Sequence, residues 1–202
     1  MKLYHCANAR SFRALWALEE LGLPYELELL PFPPRVRQPE YLAVNPLGTI
    51  PALFDGDLLM TESAAIVQYL ATRNGPTVLS VEPGHADYGA WLNWLHFGEA
   101  TLTFPQTLVL RYRMLEPGRA EIVADDYAKW FAARLQAVDR ALAKDEHLCA
   151  GRFTAADISV GYALLLAGQI GLATRFSAPV AEYWDRLQAR PGFQAAKAAQ
   201  RR

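Results

Sequence analysis

Apolar and polar positions along the chain follow two different periods, and the change from one to the other divides it. Residues 2–6 read as a short strand, and from Phe12 the apolar positions Leu15, Trp16, Leu18 and Leu21 recur at helical spacing until Gly22 and Pro24 stop them. Residues 25–30 alternate as a strand does. Residues 31–39 hold four prolines with Arg35 and Arg37 between them, which predicts a loop leading into a short irregular helix at 40–44. Residues 50–54 and 58–60 are apolar runs joined by Asp55-Gly56-Asp57, a hairpin signal, and a helix follows over about 62–73. A strand-helix-strand unit implies a right-handed crossover and a parallel pair, and the hairpin adds antiparallel strands.

Beyond Asn74-Gly75-Pro76 and Glu82-Pro83-Gly84 no strand pattern recurs. Residues 85–115, rich in aromatics, predict a long helix bent at Pro105, and a second helix is expected over about 119–144. Thr154 and Asp157 make a capping box ahead of the apolar run 158–166, whose helix is apolar nearly all round and belongs in a core. Residues 179–189 and 191–202 predict two final short helices. The expected organisation is a small α/β domain over 1–75, a linker over 76–84 and an all-helical domain over 85–202.

Composition narrows the functions. A hydrophobic fraction of 52% with 20% charged residues is that of a globular chain of 202 residues with a substantial core. Net charge is −1, which gives no electrostatic case for nucleic acid or for an anionic membrane. No apolar run approaches the length of a membrane span, no signal peptide is evident at Met1, and Cys6 and Cys149 lack metal-site spacing, so no metal and a reduced, cytoplasmic setting are expected.

Residues 44–63 concentrate the chemistry. Pro51 sits second in an apolar strand, where it removes a ladder donor. A cis bond before it would turn the chain and leave the N–H and C=O of Ile50 free to pair with an extended peptide. The helix start at Glu62-Ser63 offers unpaired N–H groups to a carboxylate, and Glu62 can hold an ammonium. An ordinary hairpin followed by a capped helix accounts for the same residues.

Three motifs in order, Asn45-Pro46-Leu47-Gly48-Thr49-Ile50-Pro51-Ala52-Leu53, Glu62-Ser63-Ala64-Ala65-Ile66 and Phe153-Thr154-Ala155-Ala156-Asp157-Ile158, make the chain resemble the cytosolic glutathione S-transferases, in a bacterial form, over essentially its whole length. The resemblance implies an α/β thioredoxin-like N-terminal domain plus an all-α C-terminal domain. It implies that Pro51 is cis, that Ile50 pairs with the cysteinyl backbone of glutathione, and that Glu62 and Ser63 hold its γ-glutamyl head. It further implies glutathione as co-substrate without a metal, a homodimer, and detoxification of small hydrophobic electrophiles by attack of the glutathione thiolate. A free thiol has a pKa of about 8.5, so the enzyme must stabilise the thiolate, and donors and dipole at the first helix start are the expected source.

The chain departs from the family at that step. Ala9 stands where many members carry the serine that donates to the sulfur, and Arg10 where one bacterial class carries cysteine. Asn8 and Ser11 are the nearest replacements, although Asn8 also suits a turn and Ser11 an N-cap. The glycine end of glutathione falls at Val36, which offers only its backbone, with Arg35 or Arg37 nearby. Asn93, in Trp91-Leu92-Asn93-Trp94, matches a bacterial asparagine that reaches the partner subunit's glutathione. The electrophile pocket is expected from Phe97, Thr101, Phe104, Arg111 and Tyr112. Rival readings are a glutathione-dependent isomerase, against which Asn8-Ala9-Arg10 speaks, a disulfide reductase, and a non-catalytic glutathione-binding or dimerisation module, for which Ala9 is the best support.

Overall fold

The computed structural model describes residues 1–201, and the chain divides into two compact units: Met1–Ser80 together with the segment from Gln188 onward, and Val81–Leu187.

The first unit is built on a four-stranded sheet in the order β2-β1-β3-β4. Strand β1 (Lys2–His5) pairs in parallel with β2 (Glu26–Leu29), and helix α1 (Phe12–Glu20) makes the crossover between them. Strand β3 (Ala52–Asp55) runs antiparallel to β1, with Leu3 opposite Leu53, and the hairpin adds β4 (Leu58–Met60). The expected strand over 50–54 thus starts two residues later. Pro51 has no N–H to place in the ladder, and the Ile50-Pro51 bond is cis. Helix α2 (Pro34–Arg37) forms where a loop was expected; Pro34, at its first turn, needs no N–H and has φ preset for a helix. A 3₁₀ turn (Pro39–Ala43) follows, and α3 (Ser63–Thr72) closes the sequence of elements, with Glu62 in extended backbone as its N-cap residue.

The second unit is helical. The long helix expected over 85–115 is interrupted twice: α4 (Tyr88–Phe97) passes into a π-helical turn (Gly98–Thr103), then α5 (Phe104–Leu110), then a second π turn (Arg111–Leu115). Pro105 lacks the N–H that the carbonyl of Thr101 would use, and widening of the turn just before it relieves the ladder. Thr103 Oγ1 donates to the carbonyl of Gly98 at 2.7 Å within that turn. Helix α6 (Glu121–Leu142) and the almost wholly buried α7 (Ala155–Gln169) complete the core with α8 (Ala178–Gln188). Ser159 of α7 lies so close to Gly98 that a Cβ there would sit 2.4 Å from its hydroxyl, so α4 and α7 meet only because residue 98 is glycine. The expected capping box forms: Thr154 N–H donates to Asp157 Oδ2 at 2.8 Å, and Asp157 also accepts from Tyr183 and from the N–H of Leu148. Among the described residues no helix is long and apolar enough to cross a membrane.

Helix α9 (Pro191–Ala199) packs in the first unit, whereas the sequence expectation kept all of 85–202 in the helical domain. Phe193 meets Phe12 and Trp16 edge-on at centroid distances of 5.3 and 5.0 Å, and Arg190 holds Glu20 through two bonds of 2.8 and 2.9 Å. Two aromatic contacts and a bidentate ion pair outweigh sequence proximity to the other helices. The last residue of that expected helix, Arg202, lies outside the described residues.

Candidate functional site: a peptide platform beside a braced loop

Residues 45–49 set the position of Ile50. Asn45 Nδ2 and the Tyr41 hydroxyl both donate to the carbonyl of Thr49 at 2.8 Å, while Asn45 Oδ1 accepts from the N–H of Leu47. Gly48 has φ +62°, and a Cβ there would press to 2.6 Å on Arg35, so two constraints coincide on that glycine. The turn delivers Ile50 and the cis Pro51 beyond the end of the sheet. Neither the N–H nor the C=O of Ile50 is hydrogen-bonded among the described residues, which leaves one donor and one acceptor for an extended backbone.

At the start of α3, Ser63 Oγ accepts from Arg13 Nη1 at 3.1 Å, with both side chains buried. A hydroxyl that accepts from a guanidinium keeps its own hydrogen to donate, here beside the unpaired N–H groups of the first turn. The Glu62 carboxylate, exposed next to it, has no hydrogen bond or ion pair among the described residues. A carboxylate acceptor and a hydroxyl at a helix start suit the ammonium and carboxylate of one amino-acid head group.

The loop at 7–11 differs from what its residue types suggested. Ser11 is fully buried; its hydroxyl accepts from the N–H of Cys6 at 3.2 Å and faces the carbonyl of Cys6 at 3.4 Å. It braces the turn after β1 and makes no side-chain cap; expected as a donor to a sulfur, this hydroxyl is engaged with the backbone of Cys6. The N–H of Ser11, in contrast, has no acceptor among the described residues. Ala9 packs against the apolar cluster of Cys6, Leu30, Tyr41, Ile50 and Ala52, which brings loop and platform together. Cys6 is itself buried, and burial pushes its thiol up to about 12, so it stays protonated and inert.

Asn8 lies in the left-handed region, at φ 56°. Its N–H donates to Gln200 Oε1 at 2.9 Å, and its Oδ1 accepts from Gln200 Nε2 at 2.6 Å and from Lys197 Nζ at 2.8 Å. Its Nδ2 has no partner among the described residues. Gln200 Oε1 also meets His5 Nε2 at 3.1 Å; burial pushes this histidine down to about 4, so it is neutral at physiological pH. Lys197 and Gln200 were not anticipated. The signal was present in the spacing of Phe193, Lys197 and Gln200, which places them on one helix face.

The remaining expected residues are dispersed. Val36, on α2, is exposed. In the second unit, Asn93, Phe97 and Thr101 line an open groove of about 380 Å³ together with Leu92, His96 and Ala100. Phe104, Arg111 and Tyr112 do not line it. Phe104 packs edge-on against Tyr127, and Arg111 bonds Glu116 at 2.9 Å while facing the ring of Tyr112. Of the five residues expected around an electrophile, the groove therefore gathers Asn93's neighbours Phe97 and Thr101, while Phe104, Arg111 and Tyr112 follow on α5 and the second π turn.

Comparison with known proteins agrees with this arrangement. Residues 9–73 match the model of the glutathione S-transferase N-terminal domain. Glutathione S-transferase 3 of Zea mays is 32% identical over 93% of this chain and 88% of its own length. Among solved structures, a sphingomonad glutathione S-transferase complexed with glutathione superposes with a TM-score of 0.85 at 26% identity, over 99% of this chain and 98% of that one. A glutathione transferase from Methylococcus capsulatus superposes at 0.86 with 27% identity, over 98% of both chains. With a four-stranded thioredoxin-like sheet, a cis proline behind a free Ile50 backbone and identity of this extent along nearly the whole chain, the protein belongs to the glutathione S-transferase family.

Proposed function

We propose that the protein is a glutathione transferase that binds glutathione on its first unit and conjugates it to small hydrophobic electrophiles. The observation that carries this is the Ile50 backbone, whose N–H and C=O stand unpaired among the described residues beside a cis proline, as a bound cysteinyl backbone requires. Glu62 takes the ammonium of the γ-glutamyl head and Ser63 its carboxylate, while Val36 offers its backbone to the glycine end. Each unit by which the site lowers the thiol pKa is about 1.4 kcal/mol of preference for the thiolate. With alanine at position 9, the donors are the Asn8 amide and the N–H of Ser11, aided by the positive end of α1.

The thiolate then attacks an electrophilic carbon. A carbon–sulfur bond forms as the leaving group departs with its bonding electrons, or, in an addition, as the neighbouring atom takes up a proton. The groove at Asn93, Phe97 and Thr101 is the candidate surface for the electrophile, and exposure of Asn93 is consistent with reach toward a partner subunit in a homodimer. A cytoplasmic, detoxifying role completes this reading.

A second reading follows from one observation, the missing side chain at Ala9: a non-catalytic module that binds glutathione without activating it. Calorimetric titration with glutathione, paired with ultraviolet absorbance of the bound thiolate against pH, separates the two. Binding with a lowered thiol pKa is the expected result. Absence of binding at millimolar glutathione overturns both readings, and binding without the lowered pKa leaves only the module.

A further inference from the structure

Lys197 and Gln200, at the end of α9, form a hydrogen-bonded clasp on the loop at 7–11 that the platform at Ile50 and Glu62 does not use. Gln200 bridges Asn8 twice, accepting from its N–H and donating to its Oδ1, and Lys197 donates to the same oxygen. Neither amide can turn over. Reversing Asn8 would set its NH₂ against the Lys197 ammonium, and reversing Gln200 would set its NH₂ against the Asn8 N–H and the His5 Nε2. His5 completes the arrangement through Nε2, which suits the Gln200 oxygen when it carries the ring hydrogen, and its Nδ1 is buried without a hydrogen-bond partner among the described residues. Lys197 has no carboxylate among the described residues; it stands over the Phe12 ring at 5.9 Å and spends its charge on a neutral amide. Holding an ammonium partly away from water against an amide is unfavourable for a merely structural contact, and burial lowers the pKa of this lysine.

We propose that Lys197 and Gln200 are positioning residues for thiol activation, which fix and polarise the Asn8 amide so that its Nδ2 is presented as a hydrogen-bond donor to the sulfur of glutathione. The inference rests on the transferase reading above. An amide whose oxygen accepts from an ammonium is a stronger donor at its nitrogen, because hydrogen bonds in series polarise one another. The clasp also explains how a non-glycine residue is held at φ 56° at this position. In place of a serine side chain on the loop, this chain uses an asparagine whose orientation is set by its own last helix.

The test uses the full chain with glutathione bound and follows thiolate absorbance against pH, with affinity measured calorimetrically on the same samples. Lys197→Met, which keeps the apolar stem, and Gln200→Glu, which keeps the acceptor but loses the donor, each raise the bound thiol's pKa by about half to one unit. Glutathione affinity below the thiol pKa stays within about twofold, since the platform at Ile50 and Glu62 is untouched. In an Asn8→Ala background neither substitution has a further effect, because both act through that amide. A lowered thiol pKa in the natural protein that is unchanged in Lys197→Met and Gln200→Glu overturns the clasp alone, as does an equal shift in the Asn8→Ala background. A natural protein that does not lower the thiol pKa overturns the transferase reading together with the clasp. If Gln200→Glu does not fold, Lys197→Met decides.

Discussion

Arg13 Nη1 donates to Ser63 Oγ across 3.1 Å inside the first unit, so that the start of α3 is tied to a buried cation on α1. The same hydroxyl has a structural donor behind it and keeps its own hydrogen for the proposed glutathione head group. Ser63→Ala should lower stability by about 1.5–3 kcal/mol, the range for a hydrogen bond to a charged group, and weaken glutathione binding as well. Urea denaturation and calorimetry read the two effects; a loss of stability with unaltered affinity would take Ser63 out of the ligand site.

Glu62 has the opposite character, with no partner of its own among the described residues. Glu62→Ala should weaken glutathione binding by roughly 2 kcal/mol, because the ligand ammonium is left without its carboxylate, and should leave the denaturation midpoint nearly unchanged. Wild-type affinity in this variant would refute the head-group assignment.

The Ser11 hydroxyl is committed to the backbone of Cys6. Ser11→Ala should cost about 1–3 kcal/mol of stability through the unsatisfied N–H of Cys6, with the thiol pKa of bound glutathione unmoved. A raised thiol pKa in a variant of native stability would return that hydroxyl to the site.

His5 makes folding sensitive to acid. Burial holds its pKa at about 4 in the folded protein, below the ordinary value of 6.5, so the unfolded chain takes up the proton first. The associated stability is present above pH 6.5, is lost progressively as the pH falls toward 4, and does not decline further below that. The full loss amounts to about 3 kcal/mol. Comparing urea midpoints of the natural protein and His5→Gln across this window should show the slope only in the former; parallel curves would mean that His5 is not the group responsible.

Much of the fold was legible because its signals are local. The periods of residues 2–30, the Asp55-Gly56-Asp57 turn and the Thr154–Asp157 capping box each rest on neighbours within a few positions. Pro105 marked the bend in the long helix, but a missing N–H does not say whether the chain will kink or widen. The close packing of Gly98 on Ser159 accompanies the wider turn, and that meeting of α4 with α7 is invisible in either segment alone.

For the site, the sequence by itself set Ile50 before Pro51 and Glu62 with Ser63 at a helix start, because proline's missing N–H and the unpaired first turn of a helix travel with the residue types; their reading as a glutathione platform came from the family resemblance, not from spacing. Which polar group in residues 7–11 remains available was decided only by tertiary structure. Ser11 turned inward to Cys6, and Asn8 was seized by Lys197 and Gln200 from the far end of the chain. The physical reason is that a side chain's hydrogen-bonding capacity is finite. What it can offer a ligand is what its neighbours leave, and those neighbours are chosen by the packing of α9 on α1, through Phe193 and the Arg190–Glu20 pair, between residues about as distant in sequence as this chain allows.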